Sequence, residues 1–252
     1  MTLTKFHCLG LLTLEGGPAA GEEPLWSAGS LLNPVTFNFP IISERVSGSW
    51  AEFVFRGDRA LESPCIEAAK RLVERGAKAI TADCGFLIRY QAAIAAAVDI
   101  PVAMSSLLLI PTLLRQLQPA AKLAIITANA AHCDFDLLGI NDPADRERVV
   151  IGGGIGNKLM ERLKTFHPHS PTEPTENKAD KAAEVEIASC VADLEIDIAA
   201  CIAQLRAEHP DIAAILFECT LFPVVTSAIR RAVKLPVYDI TTLVRMTFES
   251  LS

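Results

Sequence analysis

The chain has 252 residues, half of them hydrophobic, which is enough apolar material to bury the core of one large domain or of two small ones. Its 23 basic and 30 acidic residues give a net charge of -7 and are spread along the chain, which argues against a surface for nucleic acid or for an anionic membrane.

Strand and helix signals then alternate along the chain, which is typical of an α/β protein with parallel sheets. Strands are predicted at residues 5–14, 36–45, 122–127 and 148–151, besides those of the repeat described below. Helices are predicted at residues 61–75, 107–117, 182–208 and 242–249, and a long mobile loop containing three prolines at 167–181.

Seven cysteines, an odd number with no CxxC pair, favour free thiols in a reducing compartment. The first 15 residues show no basic leader or cleavage site, so we expect a cytoplasmic protein. The long apolar run at 212–229 contains Glu218 and Pro223. It is therefore interpreted as a buried strand followed by a helix, and no membrane span is predicted.

A repeat marks the two stretches that contain Cys84 and Cys219. Aligned on these cysteines, residues 79–102 and 214–237 match without a gap, and each predicts a strand, a cysteine, a helix and a second strand. The identical pairs are Ala79/Ala214, Ile80/Ile215, Cys84/Cys219, Ala93/Ala228, Ile94/Ile229, Ala97/Ala232, Val98/Val233, Pro101/Pro236 and Val102/Val237. Each copy thus predicts a βαβ unit with a thiol at the carboxyl end of its first strand.

The glycine run at 152–156 and the five histidines do not form a known cofactor or metal motif. Gly152, Gly154 and Gly156 lack the spacing of a dinucleotide motif, because Asn157 stands where the third glycine belongs, so we expect a tight turn that approaches a small ligand or another backbone. The five histidines are dispersed, and no metal site is predicted.

The positions of Cys84 and Cys219 favour chemistry, because ligands of parallel α/β sheets bind beyond the carboxyl ends of the strands. A helix that starts after each cysteine is expected to lower the pKa of its thiol. Two thiols that face each other could take a proton from one side of a carbon and return one from the other. Asp83 and Glu218 are expected to point away from the cysteines, since neighbours in a strand alternate. Four of the remaining thiols are interpreted as core residues: Cys8, Cys65, Cys190 and Cys201. Cys133 follows Thr127-Ala128-Asn129 and is expected in the core or on a helix surface, with a place near the site left open.

These motifs resemble the aspartate/glutamate racemase superfamily over nearly the whole chain. Residues 218–223, Glu-Cys-Thr-Leu-Phe-Pro, are similar to the Gly-Cys-Thr-x-Phe-Pro of glutamate racemases, and residues 83–86, Asp-Cys-Gly-Phe, stand where that family has Cys-Asn-Thr. Asn33-Pro34 and Phe37-Asn38-Phe39-Pro40 look like the second-strand region of racemase-like proteins of unassigned substrate.

The resemblance implies an α/β fold of two pseudo-symmetric lobes, each a parallel sheet flanked by helices, with the active site in the cleft between them. We place residues 1–104 and 225–252 in the first lobe and 105–224 in the second. Cys84 and Cys219 would be the acid/base pair of a racemase that needs no cofactor or metal. The resemblance also implies that Thr220 and backbone amides hold the substrate carboxylate, and it makes further residues candidate ligand contacts: Gly85, Asn33, Ser105, Ser106, Thr127 and Asn129.

The expected function is therefore racemisation or epimerisation at the α-carbon of an amino acid or a related small anionic carboxylate or carbonyl compound. Gly85 and Phe86 in place of Asn-Thr argue against plain aspartate or glutamate and leave hydantoin-type substrates open. Two retained thiols argue against arylmalonate decarboxylases, which keep one. The alternatives are a maleate-type cis-trans isomerase and a non-catalytic metabolite-binding protein, and a homodimer or a higher homo-oligomer is left open.

Overall fold

The computed structural model describes residues 7–16, 27–33, 35–153, 155–156 and 178–251. Within these ranges the chain forms two sheets, each of four parallel strands. The first has the order β2-β1-β3-β4, with β1 at Cys8–Thr13, β2 at Ile41–Arg45, β3 at Ala77–Ala82 and β4 at Val102–Ala103. The second repeats this order as β6-β5-β7-β8, with β5 at Lys122–Thr127, β6 at Val149–Gly153, β7 at Ile212–Phe217 and β8 at Val237–Tyr238. The predicted α/β class with two similar parallel sheets is confirmed.

Helices connect and cover these strands. They are α1 (Ala51–Arg56), α2 (Glu62–Glu74), α3 (Gln91–Ala97), α4 (Ile110–Gln116), α5 (Pro143–Glu147), α6 (Lys178–Glu208), α7 (Thr226–Val233) and α8 (Ile240–Glu249). Short 3₁₀-helices follow the two cysteines, at Gly85–Tyr90 and at Phe222–Val224. The predicted helix directly after each thiol is therefore corrected, because a 3₁₀-helix comes first in both places.

The central strands β1, β3, β5 and β7 are buried over almost their whole length, whereas the outer strand β2 is only partly covered. Their side chains are apolar on both faces because both faces of a parallel sheet are covered by helices. The thiols expected in the core are buried at Cys8, Cys65, Cys133 and Cys190, and Cys201 is half-buried. No helix in the described part of the chain is long and apolar enough to span a membrane.

Several predicted bounds need correction. The strand predicted at 36–45 forms only at Ile41–Arg45, after Pro40, and the helix predicted at 107–117 begins as a 3₁₀-helix at Ser106–Leu109. α6 begins at residue 178, inside the predicted loop 167–181, and the rest of that loop lies outside the described residues, as do Pro34 and Gly154. Gly152 and Gly153 are strand residues rather than a ligand-binding turn. At Gly152 a Cβ would lie only 2.6 Å from Leu205 of α6, so this glycine lets the helix pack closely on β6.

The division of the chain at residues 105 and 225 stays a prediction. β8 pairs with β7 and so belongs to the second sheet, although it lies within the segment 225–252 that we placed with the first lobe. The last helix, α8, packs against β3 and β4 of the first sheet. The C-terminal segment thus contributes to both sheets and helps to hold them together.

Candidate active site

The two cysteines occupy equivalent places at the junction of the sheets. Cys84 follows the end of β3 by two residues and Cys219 follows the end of β7 by two residues. The Thr220 hydroxyl donates a hydrogen bond to the backbone carbonyl of Asp83. In the equivalent position of the other motif, Gly85 packs so closely against Glu218 that a Cβ would collide with the Glu218 backbone carbonyl oxygen.

These contacts obey one rule: the residue after each cysteine touches the residue before the other cysteine. The repeat therefore folds into an approximate twofold arrangement that brings Cys84 and Cys219 to the same junction. Burial raises the pKa of Cys84 most, and a charge on Cys219 adds to that rise. The pairing of the two thiols as one catalytic site stays a prediction.

Gly85 is required by the packing at this junction. A Cβ at this position would collide with the Glu218 carboxyl group and with the Glu218 backbone carbonyl. The backbone of Gly85 is not in the left-handed region, so the requirement is one of space rather than of conformation. A glycine here, where the resembling family has Asn, is thus explained by the large acidic side chain on the opposite lobe.

Glu218 corrects one expectation directly. We expected its side chain to point away from the cysteines, but its carboxyl group lies against Gly85, the residue next to Cys84. Alternation does not apply because β7 ends at Phe217, before Glu218. The residue is 1 % exposed, Oε2 accepts a hydrogen bond of 2.7 Å from the Thr127 hydroxyl, and burial raises the pKa of Glu218 to about 7.

The thiols are harder to ionise than predicted. Burial raises the pKa of both Cys84 and Cys219 above the ordinary value of a thiol, and the negative charge of Glu218 raises both further. Hydrogen bonding from the backbone N–H groups of Phe86 and Leu221 lowers these pKa values, but by less than burial raises them. The expected helix-terminus effect is therefore present only in reduced form, because a 3₁₀-helix rather than an α-helix comes first after each cysteine.

The acids before the two cysteines are held differently. Asp83 accepts hydrogen bonds from the Leu14 N–H at 3.2 and 3.3 Å, so both of its oxygens are engaged within the first lobe, and burial raises the pKa of Asp83 to about 7. Glu218, one methylene longer, reaches the Thr127 hydroxyl with Oε2, while its Oε1 is buried without a hydrogen-bond partner. The two acidic residues therefore differ in their hydrogen bonds: both oxygens of Asp83 accept one, whereas Oε1 of Glu218 does not. We call Glu218 Oε1 the open oxygen.

The other predicted contact residues separate into two groups. Ser106 and Thr127 lie at the junction, where Ser106 donates a 2.6 Å hydrogen bond to the Phe217 carbonyl and Thr127 binds Glu218. Ser105 caps the 3₁₀-helix that follows it, Asn129 donates its backbone N–H to Thr127, and Asn33 closes a turn by accepting from the Val35 N–H. The Thr220 hydroxyl donates to the Asp83 carbonyl, and its role in holding the substrate carboxylate stays a prediction.

Sequence reasoning missed two residues at the junction, Glu218 as a site acid and Thr13. Thr13 ends β1 as Thr127 ends β5, and its Oγ1 is buried without a hydrogen-bond partner. The signal was present, since residues 9–13 and 123–127 both read as four small or apolar residues followed by threonine. Among the described residues no group of three His, Cys, Asp or Glu side chains is placed to hold a metal ion.

No protein-family model matches the chain. A dimethylsulfoniopropionate lyase of Durusdinium sp. clade D is 30 % identical over 227 residues, which are 84 % of this chain and 66 % of that lyase. The chain spans about a third to two thirds of the length of the curated relatives it matches. Dimethylsulfoniopropionate lyase 3 of Emiliania huxleyi is 28 % identical over 88 % of this chain, which corresponds to 56 % of that lyase.

Two solved racemases share the fold. The glutamate racemase isoform RacE1 of Bacillus anthracis superposes with a TM-score of 0.53 at 15 % identity, covering 98 % of this chain and 80 % of that one. The aspartate racemase of Picrophilus torridus gives a TM-score of 0.53 at 13 % identity, covering 97 % of this chain and 94 % of that one. The chain has the fold of the aspartate/glutamate racemase superfamily, and the resemblance seen in the two cysteine motifs is confirmed at the level of the fold.

Proposed function

We propose that the chain is an enzyme that removes the proton next to the carboxylate of a small substrate, and that the product forms by β-elimination of a sulfonium group. The observation that carries the proton transfer is the convergence of Cys84 and Cys219 at one junction through the paired contacts of Gly85 and Thr220. The relatives named dimethylsulfoniopropionate lyase support the elimination, because they match most of the chain.

The proposed reaction balances without an added reactant. In dimethylsulfoniopropionate, (CH₃)₂S⁺–CH₂–CH₂–CO₂⁻, a cysteine thiolate takes a proton from the carbon next to the carboxylate. The electron pair of that C–H bond becomes the new carbon–carbon double bond, and the bond between the β-carbon and sulfur breaks. Dimethyl sulfide leaves with the bonding electrons as a neutral molecule, acrylate remains, and the proton stays on the cysteine.

The residues of the chain prepare this step. The backbone N–H groups of Phe86 and Leu221 stabilise the thiolate forms of Cys84 and Cys219, which burial otherwise disfavours. The Thr220 hydrogen bond to Asp83 joins the two lobes at the site and Ser106 holds the end of β7, so the thiols do not have to be positioned during the reaction.

Racemisation is the second candidate, and the pairing of two thiols favours it. An elimination needs one base, whereas inversion needs one group that removes a proton and an opposite one that returns it. In that reaction one thiolate abstracts the α-proton, the other thiol protonates the opposite face, and the roles swap with the configuration of the substrate. Maleate-type isomerisation and binding without turnover remain alternative predictions.

The test is incubation of the purified protein with dimethylsulfoniopropionate, with dimethyl sulfide measured by gas chromatography and acrylate by liquid chromatography. We expect equal amounts of both, a loss of activity in at least one of the variants Cys84→Ser and Cys219→Ser, and unchanged turnover in Cys65→Ala, which removes a buried thiol in α2. Amino acids and hydantoins are assayed in parallel for racemisation. Folded protein that releases no dimethyl sulfide would refute the elimination, and racemisation of another substrate would then favour the second candidate.

A further inference from the structure

The Glu218 carboxyl group is buried, and only one of its two oxygens has a hydrogen-bond partner among the described residues. Thr127 donates to Oε2, but Oε1 has no hydrogen-bond partner among the described residues, and the side chain is 1 % exposed. A carboxylate buried in this way is costly unless a partner completes it. Asp83, its counterpart in the repeat, has no such open oxygen, since the Leu14 N–H is shared between both of its oxygens.

The open oxygen lies against the residue that follows Cys84. Glu218 Oε1 would be the first atom to meet a Cβ on Gly85. The absence of a side chain at Gly85 is therefore what allows the acid of one lobe to lie beside the cysteine motif of the other.

Thiols lie in the neighbourhood of Glu218. Burial raises the pKa of Cys84, Cys219 and Cys133, and the Glu218 charge raises all three further. Among the described residues no cation forms an ion pair with Glu218. Asp83 adds a second negative charge near Cys84. Arg89 lies near Cys133, but its guanidinium donates to the backbone carbonyls of Phe55 and His132 and does not bond Glu218.

We propose that Glu218 is the counter-ion for a cationic group of the substrate, and that the site selects small zwitterions that carry an onium centre together with a carboxylate. This inference rests on the proposed function for the placement of the substrate at the two thiols. A sulfonium or quaternary ammonium group beside Oε1 would stabilise the buried carboxylate by electrostatic attraction alone, because such a group has no proton to donate in a hydrogen bond.

The same contact would link binding to activation. An ionised Glu218 without a partner opposes the formation of a thiolate at Cys84 or Cys219, because two negative charges would then lie close together in a buried place. A bound cation offsets that charge, so the thiol ionises more readily when the correct substrate is present. An uncharged substrate of the same shape would bring no such effect.

The test compares two ligands of the same shape, 3-(trimethylammonio)propanoate and 4,4-dimethylpentanoate, which differ by a quaternary nitrogen in place of a quaternary carbon. Binding is measured by calorimetry to the wild type, to Glu218→Gln and to Asp83→Asn. We expect the wild type to bind the ammonium ligand at least roughly tenfold more tightly than the carbon analogue, and Glu218→Gln to bind the two within about twofold. Asp83→Asn, which alters the acid whose oxygens are already bonded, should keep the preference.

A second measurement follows the thiols through the ultraviolet absorbance of thiolate. It should rise when the ammonium ligand binds the wild type, and should not rise with the carbon analogue or with Glu218→Gln. Equal binding of both ligands by the wild type, or an undiminished preference in Glu218→Gln, would overturn the inference.

The result is separable from the fate of the proposed reaction. A preference for the ammonium ligand that disappears in Glu218→Gln supports the counter-ion even if no dimethyl sulfide is released. Release of dimethyl sulfide by a protein that shows no such preference overturns the counter-ion alone.

Discussion

Replacement of Gly85 by alanine tests how tightly the two lobes fit at the thiols. The added Cβ collides with two atoms of Glu218, its carboxyl oxygen and its backbone carbonyl oxygen. The carboxyl group can turn, but the Glu218 backbone cannot move easily, because its N–H donates to the Ile126 carbonyl at 2.9 Å at the end of β5. We therefore expect the lobes to separate slightly, with a loss of about 3 kcal/mol in the free energy of unfolding.

In a domain of this size such a loss lowers the melting temperature by roughly 6–12 °C, which calorimetry or circular dichroism measures directly. The displacement also moves Glu218 and Cys84, so release of dimethyl sulfide should fall with it. The matched control is Gly153→Ala, where the added Cβ lies an ordinary 3.8 Å from Ala130, and the stability should stay within about 0.5 kcal/mol of the wild type. A Gly85→Ala variant with the melting temperature and turnover of the wild type would refute this account of the junction.

Three further variants test the contacts around the thiols. Ser106→Ala leaves the buried Phe217 carbonyl without its 2.6 Å partner and should cost about 1–3 kcal/mol in urea unfolding. Thr220→Val removes the hydrogen bond to the opposite lobe and should cost about 1 kcal/mol, whereas an unchanged unfolding midpoint would argue that the lobes do not depend on it. Glu218 has its pKa raised to about 7 in the folded state, so it favours folding below about pH 4.5 and loses that contribution as the pH rises towards 7. Glu218→Gln should therefore flatten the decline in stability over this range by on the order of 3 kcal/mol, and a parallel pH dependence in both proteins would contradict the raised pKa.

The features that the sequence predicted correctly are those encoded locally. The strand at 122–127 was predicted with its bounds because a short, continuous apolar run of this length fits a buried strand of a parallel sheet. The position of both cysteines after a strand was also predicted correctly. Each copy of the repeat has a similar strand followed by a cysteine, and similar local sequences fold in a similar way.

The features that were missed depend on contacts between distant segments. The direction of Glu218 depends on a gap left by Gly85, more than 130 residues away, and no periodicity within a strand reports it. The pKa of the thiols was predicted with the wrong sign because the sequence shows a following helix but not the burial that outweighs it. The pairing of β8 with β7 likewise depends on a crossover between distant segments that is not encoded in β8 itself.

The central claim is that the thiols at this junction take the α-proton of the substrate, and hydrogen exchange in deuterium oxide tests it most directly. The substrate is 3-(trimethylammonio)propanoate, whose poorer leaving group keeps it intact while its two α-hydrogens are followed by nuclear magnetic resonance. The proposal predicts that the wild type exchanges an α-hydrogen and that this exchange is lost in at least one of the variants Cys84→Ser and Cys219→Ser. Exchange of both hydrogens, each lost in a different variant, would favour racemisation over elimination. No exchange in the wild type, or full exchange in both variants, would contradict the central claim.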